Sequence, residues 1–455
     1  KIMINKYKIN TGASVKDYNK VSDWLSFEIP NKINISSGKV DIGQHISTTL
    51  ALICSRELGI DINSIFVNKL NTDITPNEGI TASSLSVPNS GTAIRSASII
   101  FKKNFLDFAA KSLNLNINNI NLEDGVAKDP NSNASISFWD FSNTEEFLKL
   151  SIPEIIEIED QKNVNHSSHI ETKFINSIVK GEYKFLHDLR FDDMLHARIV
   201  RPPSYFHKFL SINKAIYKYL KDHNLKLYIK NSFIAILGND EFEVIKSLNR
   251  IKNSIEWEQV NKLANDKIFN LIDQNSKDSL VVKRGGEAFL ENIPEIKSYN
   301  NDNHKTLTSE FNKPYLMHGS IGPSASCSFY KNGKFIIYSH SQAIYALKSI
   351  LSNAFNLNEK NITLHFMPGA GCYGHNGADD VTYEAALLSK EFENKYVLLK
   401  WTREDENCWE PYGSASKNKL TATLDENNKI IYWSSEAYSD TYLTRPMVGK
   451  LEYFV

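Results

Sequence analysis

The residues with the clearest chemical potential lie in one run, Met367-Pro368-Gly369-Ala370-Gly371-Cys372-Tyr373-Gly374-His375-Asn376-Gly377-Ala378-Asp379-Asp380. An apolar strand-like segment precedes it and a helical pattern follows. Gly369, Gly371 and Gly374 let the backbone approach a bulky ligand closely and point N–H groups at anionic oxygens. A plain strand-to-helix turn is the competing reading. No Gly-Lys-Ser/Thr follows, which excludes a phosphate P-loop. Cys372, His375 and Asp379 are metal-ligating types, but their spacing matches no usual zinc set.

Three other stretches carry matching chemistry. Tyr338-Ser339-His340-Ser341-Gln342 ends a strand pattern where a helix starts. Gln342 sits beside the Gly-rich loop if the two strands are sheet neighbours. Its amide both donates and accepts, which suits an oxygen on a metal and a water or substrate; a solvated residue next to a helix cap is the alternative. Gly38-Lys39-Val40-Asp41-Ile42-Gly43-Gln44 forms a tight polar turn. The run from Asn71 to Ser86 ends in Thr81-Ala82-Ser83-Ser84-Leu85-Ser86, ahead of a long helical pattern. Such a hydroxyl run is an anion-friendly cradle, or else an N-cap region with turn chemistry.

These stretches need elements to position them. The first compact segment spans 24–141, with a strand at 32–36, a helix from Ile46 ended by Gly59, a strand at 64–70 and an amphipathic helix at 91–113. Residues 142–173 read as a polar, acidic linker. The segment 174–257 mixes short strands (225–229) with helices (241–251), and 261–304 reads as connective. From 305 to 455 strands at 334–338, 362–366 and 396–401 alternate with helices at 343–355 and 380–389. Turns at strand ends in such mixed α/β folds are where ligands bind.

Together the four chemical stretches resemble the cofactor loops of large subunits of the xanthine dehydrogenase/aldehyde oxidase superfamily. Lys180-Gly181, His187-Asp188-Leu189 and Met194-Leu195-His196-Ala197-Arg198-Ile199-Val200-Arg201-Pro202-Pro203 resemble the start of that family's hammerhead domain. Pro314-Tyr315-Leu316-Met317-His318-Gly319-Ser320-Ile321-Gly322-Pro323 and Trp401-Thr402-Arg403-Glu404-Asp405-Glu406 complete the likeness, which covers nearly the whole chain from about Trp24. The glutamine loop precedes the hammerhead here, an order that resembles the isoquinoline 1-oxidoreductase and nicotinate dehydrogenase branch. Three features depart from the family pattern. Asp41 stands for a glutamate, His45 stands for a glycine, and Tyr-Gly-His-Asn replaces Phe-Gly-Gly-Lys in the Gly-rich loop.

The resemblance implies an α+β molybdenum hydroxylase architecture, with two mixed α/β molybdopterin-binding parts (24–141 and 305–455) flanking a hammerhead domain (174–257). The implied cofactor is molybdenum–molybdopterin, including its cytosine dinucleotide form, with no protein side chain ligating the metal. Gln342, Tyr373 and Gly374 take the catalytic positions. Gln342 bonds an oxo ligand, and Gly369, Gly371, Cys372, Tyr373, Gly374 and His375 line the metal. Gly43, Gln44, Thr81, Ala82, Ser83, Ser84 and Ser86 hold the pterin and its phosphate. The catalytic glutamate belongs to a later Gly-rich loop outside these 455 residues, so the chain by itself is expected to be inactive. The reaction implied is hydroxylation of an electron-poor carbon with oxygen from water. Purine-oxidising relatives carry an arginine after the Arg-Glu-Asp turn. Residues 407–413 carry none, and Trp409 and Tyr412 stack on an aromatic ring instead, favouring N-heteroaromatics or aldehydes. A non-catalytic cofactor-binding or assembly fragment is the reading from another class.

Composition narrows the partners. The chain is 41% hydrophobic and 23% charged with a net charge of -1, which gives no footprint for nucleic acid or a membrane surface. The apolar stretch 93–113 contains Arg95, Lys102, Lys103, Asp107 and Lys111 and cannot span a bilayer. Cys54, Cys327, Cys372 and Cys408 are far apart, so this chain alone holds no zinc ribbon or iron–sulfur cluster. No GxGxxG follows a strand, so no flavin or nicotinamide fingerprint is present. The expected partners are a small 2Fe–2S subunit, a cytochrome or flavin protein for electron transfer, and a small-molecule substrate. With no leader visible, a cytoplasmic location is expected ahead of a periplasmic one.

Overall fold

In the computed structural model, residues 6–159, 170–262, 268–274, 281–282, 288–289, 304–369 and 371–439 are described. The first core forms around two helices. Ile46–Leu58 ends at Gly59 in the left-handed region (φ 73), and Thr92–Leu113 ends at Asn114 (φ 52). Ala93, Ile94, Ala97, Phe101, Phe105 and Ala109 recur at helical spacing and are all buried. Phe101 stacks on Phe27 at 4.4 Å and meets Phe138 edge-on at 5.0 Å. Parallel strands Ile33–Ile35 and Ile65–Val67 complete this layer.

The core reaches beyond the expected 24–141. Strand Lys6–Asn10 pairs antiparallel with Ile155–Glu159. Thr144 caps the turn Glu145–Leu148, which buries Phe147 among the phenylalanines. The expected linker is therefore folded as far as 159. Its apolar signal is sparse, because Ile156 and Ile158 alternate with acids on a strand buried on one face.

A seven-stranded mixed sheet forms the second layer. Its order is Lys226–Lys230, Phe233–Gly238, Leu195–Ile199, Tyr396–Lys400, Ala325–Lys331, Lys334–Ser339 and Ile362–Phe366. Strands from 174–257 and from 305–455 thus share one sheet, joined where Leu195–Ile199 runs parallel to Tyr396–Lys400. Helices Ile344–Phe355 and Ala378–Glu391 cover one face. Helices Ile216–Asp222 and Glu241–Lys252 cover the other at its far end. The first core joins at the opposite edge. There Phe366 donates its N–H to the Leu70 carbonyl (2.9 Å) and Thr72 donates to Leu364 (3.1 Å), so 70–72 lies along the last strand. A separate three-stranded antiparallel sheet comprises Lys305–Lys313, Ser416–Leu424 and Ile430–Ser439. The architecture is α+β. No helix among the described residues is long and apolar enough to cross a membrane.

Removing the Phe101 ring leaves a cavity among five aromatic neighbours. Phe101→Ala is expected to cost about 3–5 kcal/mol, read as a lower urea midpoint for the complete protein. Phe242→Ala, at a ring 67% exposed, is expected to change it by under about 0.5 kcal/mol. Equal shifts for the two variants would contradict the assigned core.

Candidate functional site

Strands Lys334–Ser339 and Ile362–Phe366 run parallel with Ser339 opposite Phe366, so the loops that leave both ends emerge at one edge. Just past Ser339, three consecutive side chains reach three different loops. His340 is buried, and its Nε2 accepts the Ala325 N–H at 3.2 Å. Ser341 donates its hydroxyl to the Asp379 carboxylate, on the helix that follows the Gly-rich loop. Gln342 donates its amide to the Thr81 carbonyl (3.2 Å), and its own carbonyl accepts the Thr81 N–H (3.0 Å). Gln342 is therefore tied directly to the hydroxyl run.

That run arrives because 70–72 is laid along the sheet edge. Ser83 and Ser84 both occupy the left-handed region (φ 55 and 57), which costs on the order of 1–3 kcal/mol per residue. They are exposed, and the hydroxyls of Ser83, Ser84 and Ser86 have no hydrogen-bond partner among the described residues. A π-turn over Val87–Gly91 then widens the start of helix Thr92–Leu113. The neighbouring 38–44 turn is pinned to this run. Val40 donates its N–H to the Thr81 hydroxyl (2.9 Å), and the Lys39 ammonium donates to the Glu78 and Ile80 carbonyls. Gln44 donates to Val40 and accepts from Ile42, so its amide is spent on its own loop. Asp41 accepts N–H groups from His45 and Ser47 at the start of helix Ile46–Leu58, and His45 takes a left-handed φ of 57.

The Gly-rich loop is held from below by histidines. A Cβ on Gly374 (φ 139) would lie 2.4 Å from the His318 ring, so this position needs glycine twice over. His318 Nε2 accepts the His375 N–H (3.2 Å), and its Nδ1 donates to the Pro411 carbonyl (3.0 Å). Those two bonds require the neutral tautomer with the proton on Nδ1. Cys372 donates its thiol to the Gly374 carbonyl. Tyr373 is exposed, with its hydroxyl end folded towards Gly371. Ala370 lies outside the described residues.

Two models of molybdopterin cofactor-binding domains match this chain, over residues 2–174 and 292–447, together well over half of it. The chain belongs to the xanthine dehydrogenase/aldehyde oxidase superfamily of molybdopterin-binding large subunits. It is 27% identical over 407 residues to a nicotinate dehydrogenase component of Pseudomonas putida, covering 87% of this chain and 33% of that one. It is 20% identical over 454 residues to the membrane-bound aldehyde dehydrogenase (pyrroloquinoline-quinone) of Gluconacetobacter polyoxogenes, covering 94% of this chain and 57% of that one. The chain thus spans about a third and just over half of these relatives. Among solved structures, quinoline 2-oxidoreductase from Pseudomonas putida 86 aligns with a TM-score of 0.43 at 12% identity, covering 58% of this chain and 38% of that one.

Asp379 does not cap its helix. It accepts from Ser341 and sits 3.2 Å from His375 Nε2, while Gly377 holds the N-cap position. In the turn with Glu404 and Glu406, only Glu404 is exposed. Glu406 is fully buried and accepts the Ser324 N–H (2.6 Å) and hydroxyl (3.0 Å). Burial, opposed by those bonds, pushes its pKa up. One turn on, buried Glu410 accepts the N–H groups of His318 and Gly319. The Thr402–Asp405 capping box is the sequence signal that starts this helix, and it puts Glu406 and Glu410 on one face. His318 and Glu410 were not picked from the sequence.

Trp409 and Tyr412 are already engaged. The Trp409 ring lies 4.2 Å from Tyr205 and 5.2 Å from the Arg201 guanidinium, and the Tyr412 hydroxyl donates to Asn407. Both aromatic groups are packed against protein rather than presented as open stacking faces. Cys372, His375 and Asp379 do not form a metal set, since no group of three His, Cys, Asp or Glu among the described residues could hold a metal ion.

Half-buried Asp380 has its pKa pushed up to about 7, first by burial and then by the charges of Asp379 and Glu384, with Arg201 opposing. Its raised pKa contributes stability that is full below the ordinary value of 3.8 and is lost as pH rises towards 7. Asp380→Asn is expected to flatten that loss. The variant would match the parent near pH 4 and exceed it by roughly 1–2 kcal/mol near pH 8. Thermal denaturation across this range checks it, and a variant less stable than its parent at the alkaline end would refute the assignment.

Proposed function

We propose that this chain is the catalytic large subunit of a molybdenum hydroxylase, and that the end of the Lys334–Ser339 strand is its cofactor site. The observation that carries the reading is the convergence of three loops on His340, Ser341 and Gln342. The residues present fit a bound pterin cofactor. At Gly369 and Gly374 the Gly-rich loop lies so close to the His340 and His318 rings that no side chain fits. Around it lie buried polar atoms without partners, the Ser320 hydroxyl and Glu410 Oε2 among them. The exposed Ser83 and Ser84 and the half-buried Ser86, at the start of a long helix, suit a phosphate. The cytosine dinucleotide form would extend along that same run.

When bound, the molybdenum centre supplies the two-electron oxidation of substrate with oxygen from water. The protein's part is to hold and polarise. The Gln342 amide is positioned to donate beside the cradle while its backbone keeps Thr81 in place. The neutral His318 tautomer fixes the height of the loop at Gly374 and His375. N-heteroaromatics or aldehydes are the proposed substrates. Electron exit is proposed through a 2Fe–2S subunit and then through a cytochrome or flavin protein. The functional parts proposed are the first core, 6–159, and 305–455 for cofactor binding, and 174–257 as the hammerhead.

Molybdenum is expected to co-purify with the complete protein from a cofactor-competent host. Gln342→Ala is expected to lower turnover more than molybdenum content. A donor of this kind is worth roughly 2–3 kcal/mol, or about 30- to 150-fold in rate. Unchanged kcat at full loading would remove Gln342 from its assigned role, and stoichiometric zinc without molybdenum would overturn the function.

A further inference from the structure

Two buried histidine nitrogens near the Gly-rich loop have complementary open valences. His340 is 3% exposed. Because its Nε2 accepts the Ala325 N–H, the neutral ring carries its proton on Nδ1. That Nδ1 has no partner among the described residues. His187 is arranged the other way round. Its Nε2 lies 2.7 Å from the Pro323 carbonyl and so carries the proton, which leaves Nδ1 a bare acceptor, also buried without a partner.

The two rings share one neighbourhood. Burial pulls the His340 pKa down to about 3. Burial also lowers that of His187. Both rings are therefore neutral at neutral pH, and their tautomers are set by bonds at the far nitrogens. Both also flank the start of the loop. Leu186 donates its N–H to the Pro368 carbonyl at 2.9 Å, and a Cβ on Gly369 would lie 2.8 Å from His340 Nδ1. An open buried nitrogen is costly, because it has given up water without gaining a partner. One donor and one acceptor left open in the same buried region are what a single internal water satisfies.

We propose that His340 and His187 together bind one internal water beneath Gly369, and that this bridge positions the Gly-rich loop. The water accepts the Nδ1–H of His340 and donates to Nδ1 of His187. Both residues are positioning residues, since neither touches a reacting group. The bridge stands on the geometry of the chain, and only its consequence for cofactor retention rests on the function proposed above.

The test combines a high-resolution crystal structure of the complete protein, nitrogen-15 NMR of its histidines, and hydrogen exchange of residues 369–377 in cofactor-free protein. A water within hydrogen-bond distance of both Nδ1 atoms is expected, with His340 protonated on Nδ1 and His187 on Nε2. His340→Gln keeps an acceptor for Ala325 but removes the Nδ1 donor, and His187→Ala removes the acceptor. Each is expected to speed loop exchange about tenfold, the loss of one buried bond. The double variant should add little more, because both changes break the same bridge. The opposite tautomer on either ring, no water between the rings, or additive effects in the double variant would each overturn the proposal. Molybdenum retention is measured separately. Its failure in the parent protein would count against the function, whereas slow loop exchange in both single variants would count against the bridge.

Discussion

The parallel pairing of Lys334–Ser339 with Ile362–Phe366 is the constraint on which the site depends. In a parallel pair both chains leave the sheet at the same edge. An antiparallel arrangement of strands this long would put the two exits about 16 Å apart, at ~3.3 Å per residue. Gln342 and the Gly-rich loop would then share no surroundings. The pairing also leaves the outer edge of Ile362–Phe366 open to the segment 70–72, whose backbone bonds carry the hydroxyl run of the first core across the strand ends. One pairing decision thus brings together residues far apart in the chain, as the bonds between Thr81 and Gln342, 261 positions apart, record.

Polar burial is the second organising term. A buried carboxylate is tolerated where donors or a cation meet it. Glu384 meets this condition with Arg201 at 2.6 Å and the Trp401 indole at 2.7 Å. Glu406 meets it with a backbone N–H and a serine hydroxyl. Glu406 and Glu410 lock the Arg403–Trp409 helix and the 318–324 loop against the base of the Gly-rich loop. They act as struts for backbone rather than as an open acid–base pair. The loop itself is thin, and its neighbours are rings: His340 under Gly369 and His318 under Gly374.

Much of the fold was legible locally. The helix Ile46–Leu58 with Gly59 after it, the helix Thr92–Leu113 and the strand Ile362–Phe366 lie where apolar periodicity and capping residues put them. Helical period and turn chemistry depend on residues within a few positions, so a single sequence carries them. The folded linker was missed for the same reason in reverse. The Ile155–Glu159 strand is short and acidic, and its stability comes from a partner at Lys6–Asn10.

At the site, residue types were legible and arrangement was not. Glycine spacing marked a loop that must admit close approach, and the Ser-His-Ser-Gln stretch marked a strand end with polar chemistry. Sequence alone determined those types, and with them the kind of ligand the loops suit. Only the tertiary structure decided that Gln342 bonds Thr81, that Gln44 closes on its own turn, that Trp409 packs on Tyr205 and Arg201, and that Glu406 and Glu410 are interior. Each of these depends on which strand edges pair and which loops then meet. Hydrogen-bond partners and burial are set by neighbours in space, and no local pattern encodes neighbours that lie one or two hundred residues away.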